Sequence, residues 1–379
     1  MKILIAADSF KGALPAQSVC QAIAEGLRDV WPDAEIELVP MADGGEGTVQ
    51  ALVSATGGVE RSATVRRPLQ GELSACFGLL GDGKTAVIEM AAASGLPLVP
   101  PEQRDPLRTT TFGTGQLIQA ALDCGARRLI IGIGGSATVD GGVGCAQAVG
   151  VKFFDAQERL LPDGLAGGDL PRIARIDGSQ ALARLQTVRI LVACDVSNPL
   201  CGPDGAAAVF GPQKGATPQM VEQLDAGLSH LAELIRRDLD RSIADLPGAG
   251  AAGGLGAGLV AFCGAQLKPG VDIVMEQLRL AERMDGCDLV ITGEGQLDAQ
   301  SVMGKTVSGV GQLARKLGVP VVALAGSIGP DACLALNVVD AYLCILDGPM
   351  SLSHAMDGTA AMLRATAANL ARVWSVARA

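Results

Sequence analysis

Acids, lysines and glycines gather where short apolar runs of this chain end, and together these residue types have the chemistry of phosphate and carboxylate handling. The densest instance is residues 129–144, LIIGIGGSATVDGGVG. Residues 129–131 read as a buried strand, and the glycines after it let successive N–H groups converge without interference from Cβ atoms. Such a nest, built here from Gly134 and Gly135 with hydroxyls from Ser136 and Thr138, suits the oxygens of a phosphate or a carboxylate. Asp140 adds a carboxylate able to hold a metal ion. A tight turn packed against a neighbouring sheet explains the same glycines equally well, so this segment alone is not specific.

Other strand ends repeat the pattern. Residues 2–7 form a first strand that runs into Asp8, Ser9, Phe10, Lys11 and Gly12, before a helix that Pro15 helps to begin. Open α/β sheets place their ligands at such carboxyl ends. A second strand, residues 35–39, is followed by MADGGEGT, which carries Asp43 and Glu46. A turn needs one acid at most, so two such ends predict neighbouring strands that share a polar cleft. Arg108 precedes TTTFG and a helix over residues 115–124; Asp195 follows a strand over residues 189–195, and Lys214 lies in FGPQKG. A strand over residues 288–292 ends in GEGQLD, with Glu294 and Asp298, and Ser301, Gly304 and Lys305 open the next helix. Carboxylates for magnesium, ammonium groups for phosphate oxygens and bare backbone amides are the parts phosphoryl transfer needs, which points to a small-molecule kinase. The string GLLGDGKT, residues 78–85, has the spacing GxxxxGK[ST], but it falls on a turn between two expected strands and not between a strand and a helix, and no protein-kinase signature occurs.

Composition defines the elements that must position these residues. A chain of 379 residues exceeds one ordinary core, so two domains are expected. Hydrophobic residues make up 49% and aromatic residues 3%, so the cores must be Ala, Val, Leu and Ile, as in parallel α/β sheets. The net charge of −10, with no basic run interleaved with aromatics, argues against nucleic acid. The longest uncharged stretch, residues 247–267, is Ala and Gly: a poor membrane span, but suited to a hinge or to close packing. MKILIAADSF has too short an apolar run for a secretory leader. Ten cysteines without a CxxC pair read as small core residues in a reducing cytoplasm, and His230 and His354 as structural residues. A βαβ rhythm fills the first sixty residues and resumes near residue 286. Between them, strands over residues 73–80 and 85–90 make an antiparallel pair around the turn 81–84, and Thr217 and Pro218 open an amphipathic helix. The patterning therefore predicts an α/β protein of two domains. Residues 1–62 with 286–379 form one discontinuous domain, and residues 63–285 an inserted mixed-sheet α/β domain. The expected active site is a cleft between them that closes to exclude water.

Six segments carry a resemblance. ILIAADSFKGAL, PMADGGEGT, RTTTFGTGQLI, IGIGGSATVDGGVG, CDVSNPLCGPDGAAAVFGPQKGA and VITGEGQLDAQSVMGK resemble, in order and spacing, the type-I glycerate kinases, over essentially the whole chain. Val139 departs from an asparagine expected in the family, and Ala13 and Pro15 from serines. The resemblance implies ATP-dependent phosphorylation of D-glycerate with magnesium, with 2-phosphoglycerate favoured as product. It also implies a flavodoxin-like parallel-sheet domain formed by both chain ends. On this basis Asp8, Lys11 and Asp43 are the catalytic candidates, with Asp8 or Asp43 beside the glycerate hydroxyl as base or orienting acid. Ser9, Glu46 and Arg108 are substrate-binding candidates, and Lys11 or Arg108 supplies the cation for the substrate carboxylate. Gly134, Gly135, Ser136, Thr138, Lys214 and Lys305 are expected to hold phosphates, and Asp195 and Glu294 the metal. The expected partner is a small molecule, without nucleic acid or membrane, in a chain compatible with a homo-oligomer.

Alternatives remain at this point. Phosphate transfer to the 3-hydroxyl is one, and a non-enzymatic sugar-acid sensor is another, although the many strand-end acids speak against it. A dehydrogenase is a third: Gly132, Gly134 and Ala137 match the dinucleotide fingerprint, but Asp140, Gly141 and Gly142 interrupt the helix that should receive the pyrophosphate.

Overall fold

The computed structural model describes residues 1–302 and 304–377. Met303, and residues 378 and 379 at the end of the expected discontinuous domain, lie outside the described residues. In chain order the strands are β1 (Lys2–Ala7), β2 (Glu35–Leu38), β3 (Val59–Arg66), β4 (Glu72–Leu79), β5 (Thr85–Glu89), β6 (Arg128–Gly132) and β7 (Lys152–Phe154). They continue with β8 (Arg175–Asp177), β9 (Arg189–Ala193), β10 (Gln266–Lys268), β11 (Leu289–Leu297), β12 (Val321–Ile328) and β13 (Ala341–Cys344). The chain divides into two compact units. The first comprises Met1–Asp43, Gln50–Ala55 and everything described from Pro269 on; the second comprises Gly44–Val49 and Thr56–Lys268.

The first unit is built on a five-stranded sheet in the order β13-β12-β11-β1-β2, parallel throughout. Counted within the unit this is the order 2-1-3-4-5 of flavodoxin-like folds, which place ligands where the order reverses. β1 is buried from Ile3 to Ala7, as a central strand covered on both faces must be. Register pairs Ala6 with Thr292 and Ala7 with Gly293, so Asp8, just past β1, lies level with Glu294; β11 does not end at residue 292 as patterning predicts but runs on to Leu297, held by pairing with β12. Ile3, Ile5, Ile23, Leu27, Leu289, Ile291 and Leu363 lie in one core, into which helices Ala16–Arg28 and Thr359–Ala377 pack. A short helix, Leu352–Asp357, precedes Thr359–Ala377 and is separated from it at Gly358.

The second unit holds a six-stranded sheet, β10-β9-β6-β5-β4-β3, in which β10, β9, β6 and β5 are parallel and β4 and β3 antiparallel. The turn between β4 and β5 is tied by Asp82, whose Oδ1 accepts from the Lys84 and Thr85 amides at 2.9 and 2.8 Å. A β7–β8 hairpin and the helix Pro218–Leu239 complete the frame, and Leu224, Leu228, Leu231 and Ile235 form the helix's buried face.

The joins at 55/56 and 268/269 differ from those that patterning predicts at 62/63 and 285/286. β3 pairs with β4 from Val59↔Leu79 to Arg66↔Glu72, yet it is a mostly exposed edge strand, so no apolar alternation marks it. Helix Gly270–Gln277 sits against Thr306–Leu317, where Gly309 lets Val271 approach, and this carries it into the first unit. The cysteines also correct an expectation. Cys20, Cys145, Cys263 and Cys287 are buried, but Cys76, Cys124, Cys333 and Cys344 are exposed; all ten are free thiols. Cys76 shows why, for it alternates on β4 with buried Ala75 and Phe77.

The Ala/Gly stretch is a place of backbone-on-backbone packing. Ala252, Gly253 and Gly254 are all left-handed, with φ of 54°, 70° and 88°. A Cβ on Gly253 would lie 2.0 Å from the Thr138 carbonyl oxygen, so only glycine allows that approach. No helix among the described residues is long and apolar enough to cross a membrane.

Candidate active site

In the first unit the polar residues are acids crowded at strand ends. Asp8 leaves β1 with its amide donating to Gly293 O at 2.9 Å. Its Oδ1 accepts from the Ser9 amide at 2.6 Å, and its Oδ2 from the Thr306 hydroxyl at 2.6 Å. Burial, reinforced by the charge of Asp43, raises its pKa to about 6 against the opposing hydrogen bonds. Glu294, within β11 and paired with Ala325 of β12, is raised further, to about 7; burial is again the main cause, with Asp8 and Asp298 adding to it and Ser301 and Lys305 opposing it. Glu294 Oε1 is buried without a hydrogen-bond partner among the described residues. Lys305 stands just before the helix that Thr306 begins, without a side-chain capping bond, and its charge acts on Glu294. Phe10 and Lys11 pass against Gly295, with the Lys11 side chain exposed. The structure thus gathers Asp8, Ser9, Lys11, Asp43, Glu294 and Lys305 in this unit.

The second unit gathers Glu46, Arg108, Gly134, Gly135, Ser136, Thr138, Asp195 and Lys214. Gly134 and Gly135 are exposed at the end of β6, whereas Ser136, Thr138 and Asp140 are buried. A Cβ on Gly132 would lie 2.3 Å from Gly44 O, so the two glycine segments meet backbone to backbone. Glu46 is exposed next to this contact. Behind it, Glu89 Oε1 accepts from the Val49 amide at 2.9 Å.

Buried hydroxyls hold the loop in place. Thr109 donates to Ala137 O at 2.8 Å, which puts exposed Arg108 one residue from an anchor of the nest. Arg108 also lines a cavity of about 450 Å³ together with Gln70, Gly164, Gly168 and Asp169. Asp140 is not a metal ligand here: its carboxylate is wholly buried and accepts from Thr111 N and Oγ1 at 2.8 and 2.7 Å and from Gly142 N at 3.0 Å. Asp195 stands exposed beyond β9, whose register with β6 sets it at the strand end next to the nest. Lys214 is 1% exposed, and its ammonium donates to Ser136 Oγ and Thr138 O, both at 2.7 Å. Burial lowers its pKa to about 7, with the nearby Asp140 charge opposing.

Sequence reasoning passed over Thr306, Glu89 and the threonine triplet as functional supports. Glu89 obeys the same strand-end rule that singled out Asp8 and so was within reach of it. Nothing local marks Thr306 beyond its place after Lys305. The expected helix interruption is present: Gly141 and Gly142 are left-handed, and a helix begins only at Val143, which leaves no dinucleotide fingerprint helix at the nest.

Hard carboxylate oxygens suit magnesium, which takes one or two carboxylates and completes its shell with water and phosphate. No group of three or more acids, histidines or cysteines is arranged for a metal among the described residues. The partnerless Oε1 of Glu294 fits that sparse requirement.

The glycerate kinase family model matches residues 3–375. A glycerate kinase of Haemophilus influenzae is 52% identical over 98% of both chains. A glycerate 2-kinase of Escherichia coli is 52% identical over 94% of both chains. The crystal structure of a candidate glycerate kinase 2 from Salmonella typhimurium LT2 superposes with a TM-score of 0.92 at 49% identity, covering 100% of this chain and 99% of that one.

Proposed function

The chain belongs to the glycerate kinase family and phosphorylates glycerate, and on that premise we propose that it transfers the terminal phosphoryl group of ATP to the 2-hydroxyl of D-glycerate, releasing 2-phosphoglycerate and ADP. The observation that carries this reading is the near-full-length identity to a protein named for the 2-position.

In the proposed reaction the substrate hydroxyl oxygen attacks the γ-phosphorus, the bond to the β–γ bridging oxygen breaks, and the hydroxyl proton passes to Asp8. A carboxylate with a pKa of about 6 is ionised at neutral pH yet basic enough to take a proton as the bond forms. The bonds from Ser9 and Thr306 hold both its oxygens in place, and Asp43 keeps it basic by repulsion. Lys11, exposed in the first unit, and Arg108, exposed in the second, are the candidate cations for the substrate carboxylate, with Glu46 as a hydroxyl acceptor. The exposed amides of Gly134 and Gly135 suit phosphate oxygens, with Ser136 and Thr138 shaping the loop. Glu294 would hold magnesium, which when bound would neutralise phosphate charge; Asp195 is the second candidate ligand, and Lys305 balances Glu294. Ten free thiols support a reducing, cytoplasmic setting.

Phosphoryl transfer from ATP to D-glycerate, followed by phosphorus-31 NMR with and without magnesium, tests the reading. A magnesium-dependent 2-phosphoglycerate signal is expected. A 3-phosphoglycerate signal would overturn the regiochemistry, and turnover undiminished in chelator would overturn the metal role.

A further inference from the structure

Lys214 contacts the nest from its buried side. The exposed glycines face outward, while Nζ is held between Ser136 Oγ and Thr138 O, each at 2.7 Å. Two of its three N–H donors are therefore spent on the loop itself, and the side chain is 1% exposed. Its own backbone is equally constrained: it ends the short 3₁₀ turn Pro212–Lys214, and the next residue, Gly215, lies so close to Arg104 O that a Cβ would come within 2.4 Å. The charged groups packed around it are Asp140, kept in place by Thr111 and Gly142, and Arg104, whose guanidinium reaches back to Gln213 O.

We propose that Lys214 is a positioning residue for phosphoryl transfer: its buried ammonium sets the curvature of the 134–138 loop and charges that loop from behind, so that the loop takes an anion in proportion to the fraction of Lys214 that is protonated. This rests on the reading that the loop holds phosphate. A neutral amine still hydrogen-bonds, but it loses the charge-assisted strength of both contacts and the attraction for an anion on the far side. By linkage, an anion bound there raises the lysine's affinity for its proton. Because burial has already lowered the free protein's value to about 7, anion affinity should fall as pH rises above 7.

Sulfate, which does not titrate in this range, serves as the probe, assayed as an inhibitor competitive with ATP between pH 6.5 and 8.5. The wild type is expected to lose roughly tenfold in sulfate affinity from pH 7 to 8.5, as expected for one linked proton. Lys214→Met should bind sulfate and ATP at least about tenfold more weakly at pH 6.5, the loss of one charge-assisted contact, with no pH dependence. A flat wild-type profile overturns the proposal, as does a Lys214→Met profile that retains the wild-type slope. If that variant does not fold, Lys214→Arg, which keeps its charge over this range, takes its place and should give a flat profile; retention of the wild-type slope would overturn the proposal. Absence of glycerate-dependent turnover in the wild type would overturn the kinase reading, and this proposal with it; an active enzyme with a flat profile overturns the proposal only.

Discussion

The two units treat polar side chains at strand ends in opposite ways. In the second unit, Thr109, Thr110, Thr111, Asp140 and Lys214 are all buried and each has hydrogen-bond partners among its neighbours, with Thr138 Oγ1 and Arg104 Nε the exceptions that have none among the described residues. In the first unit, burial raises the pKa of Asp8 and of Glu294, the charge of Asp43 adds to the first shift and that of Asp8 to the second, and one Glu294 oxygen has no hydrogen-bond partner among the described residues. A satisfied buried network rigidifies the backbone it holds, whereas like charges confined together store free energy that a cation or a transferred proton can release. The difference separates frame from candidate chemistry: the second unit's polar core shapes a loop, and the first unit's acids are the candidates for the proposed reaction.

The largest expected effect breaks the frame. Asp140→Asn turns an amide toward donors on Thr111 and Gly142 and leaves the buried Lys214 charge without the opposite charge that acts on it, so urea unfolding should show a loss of about 3–5 kcal/mol, the range for leaving a buried charge uncompensated. The next effect separates chemistry from stability. Asp8→Asn should lower kcat by about 10²–10⁴-fold, as for a lost general base, without lowering the melting temperature at pH 7.5. A variant that melts earlier would place Asp8 with the frame instead.

A smaller effect sharpens the contrast through pH. Asp8 rises from 3.8 to about 6 and Glu294 from 4.5 to about 7 in the folded chain, so the folded state binds more protons than the unfolded state between about pH 4 and 7. The stability these groups contribute is fully present below about pH 4 and is lost as pH rises through 6 and 7. In chelator, the loss should be on the order of 1–2 kcal/mol per group. Glu294→Gln should remove its share of that slope, and magnesium should offset it in the wild type; melting curves from pH 4.5 to 7.5 measure both. The smallest effect concerns the segment packed on the loop. Ala252 holds φ 54°, a conformation that glycine adopts without strain, so Ala252→Gly should stabilise the chain by roughly 0.5–1 kcal/mol in urea titration. A destabilised variant would mean that the Ala252 methyl packs to greater benefit than the backbone strain costs.

Much of the fold is legible along the chain. β1 and β6 are apolar runs ended by acid or glycine, and β9, β12 and the first half of β11 are apolar as well, so these strands are local properties of the sequence, whereas the second half of β11 is set by its pairing with β12. β3 was not legible, because an edge strand facing solvent needs no alternation; it is specified by its partner β4. Asp8, Asp43 and Glu294 stood out because acids at strand ends recur in the sequence, and so did the exposed glycines of the nest. Lys214 and Asp140 stood out by the same rule, as a phosphate ligand and a metal ligand, but both are turned inward.

The sequence by itself therefore determined which residue types stand at which strand ends, and hence the α/β class and the phosphate-handling chemistry, since both follow from short-range pattern and composition. The tertiary structure alone decided which of those polar groups are consumed in holding the loop and which are not. Ser136 and Lys214 are 78 positions apart, and Asp8 and Thr306 are 298 apart. Burial and hydrogen-bond partnership over such separations are set by packing, and it is they that turn one lysine into scaffold and one aspartate into a candidate base.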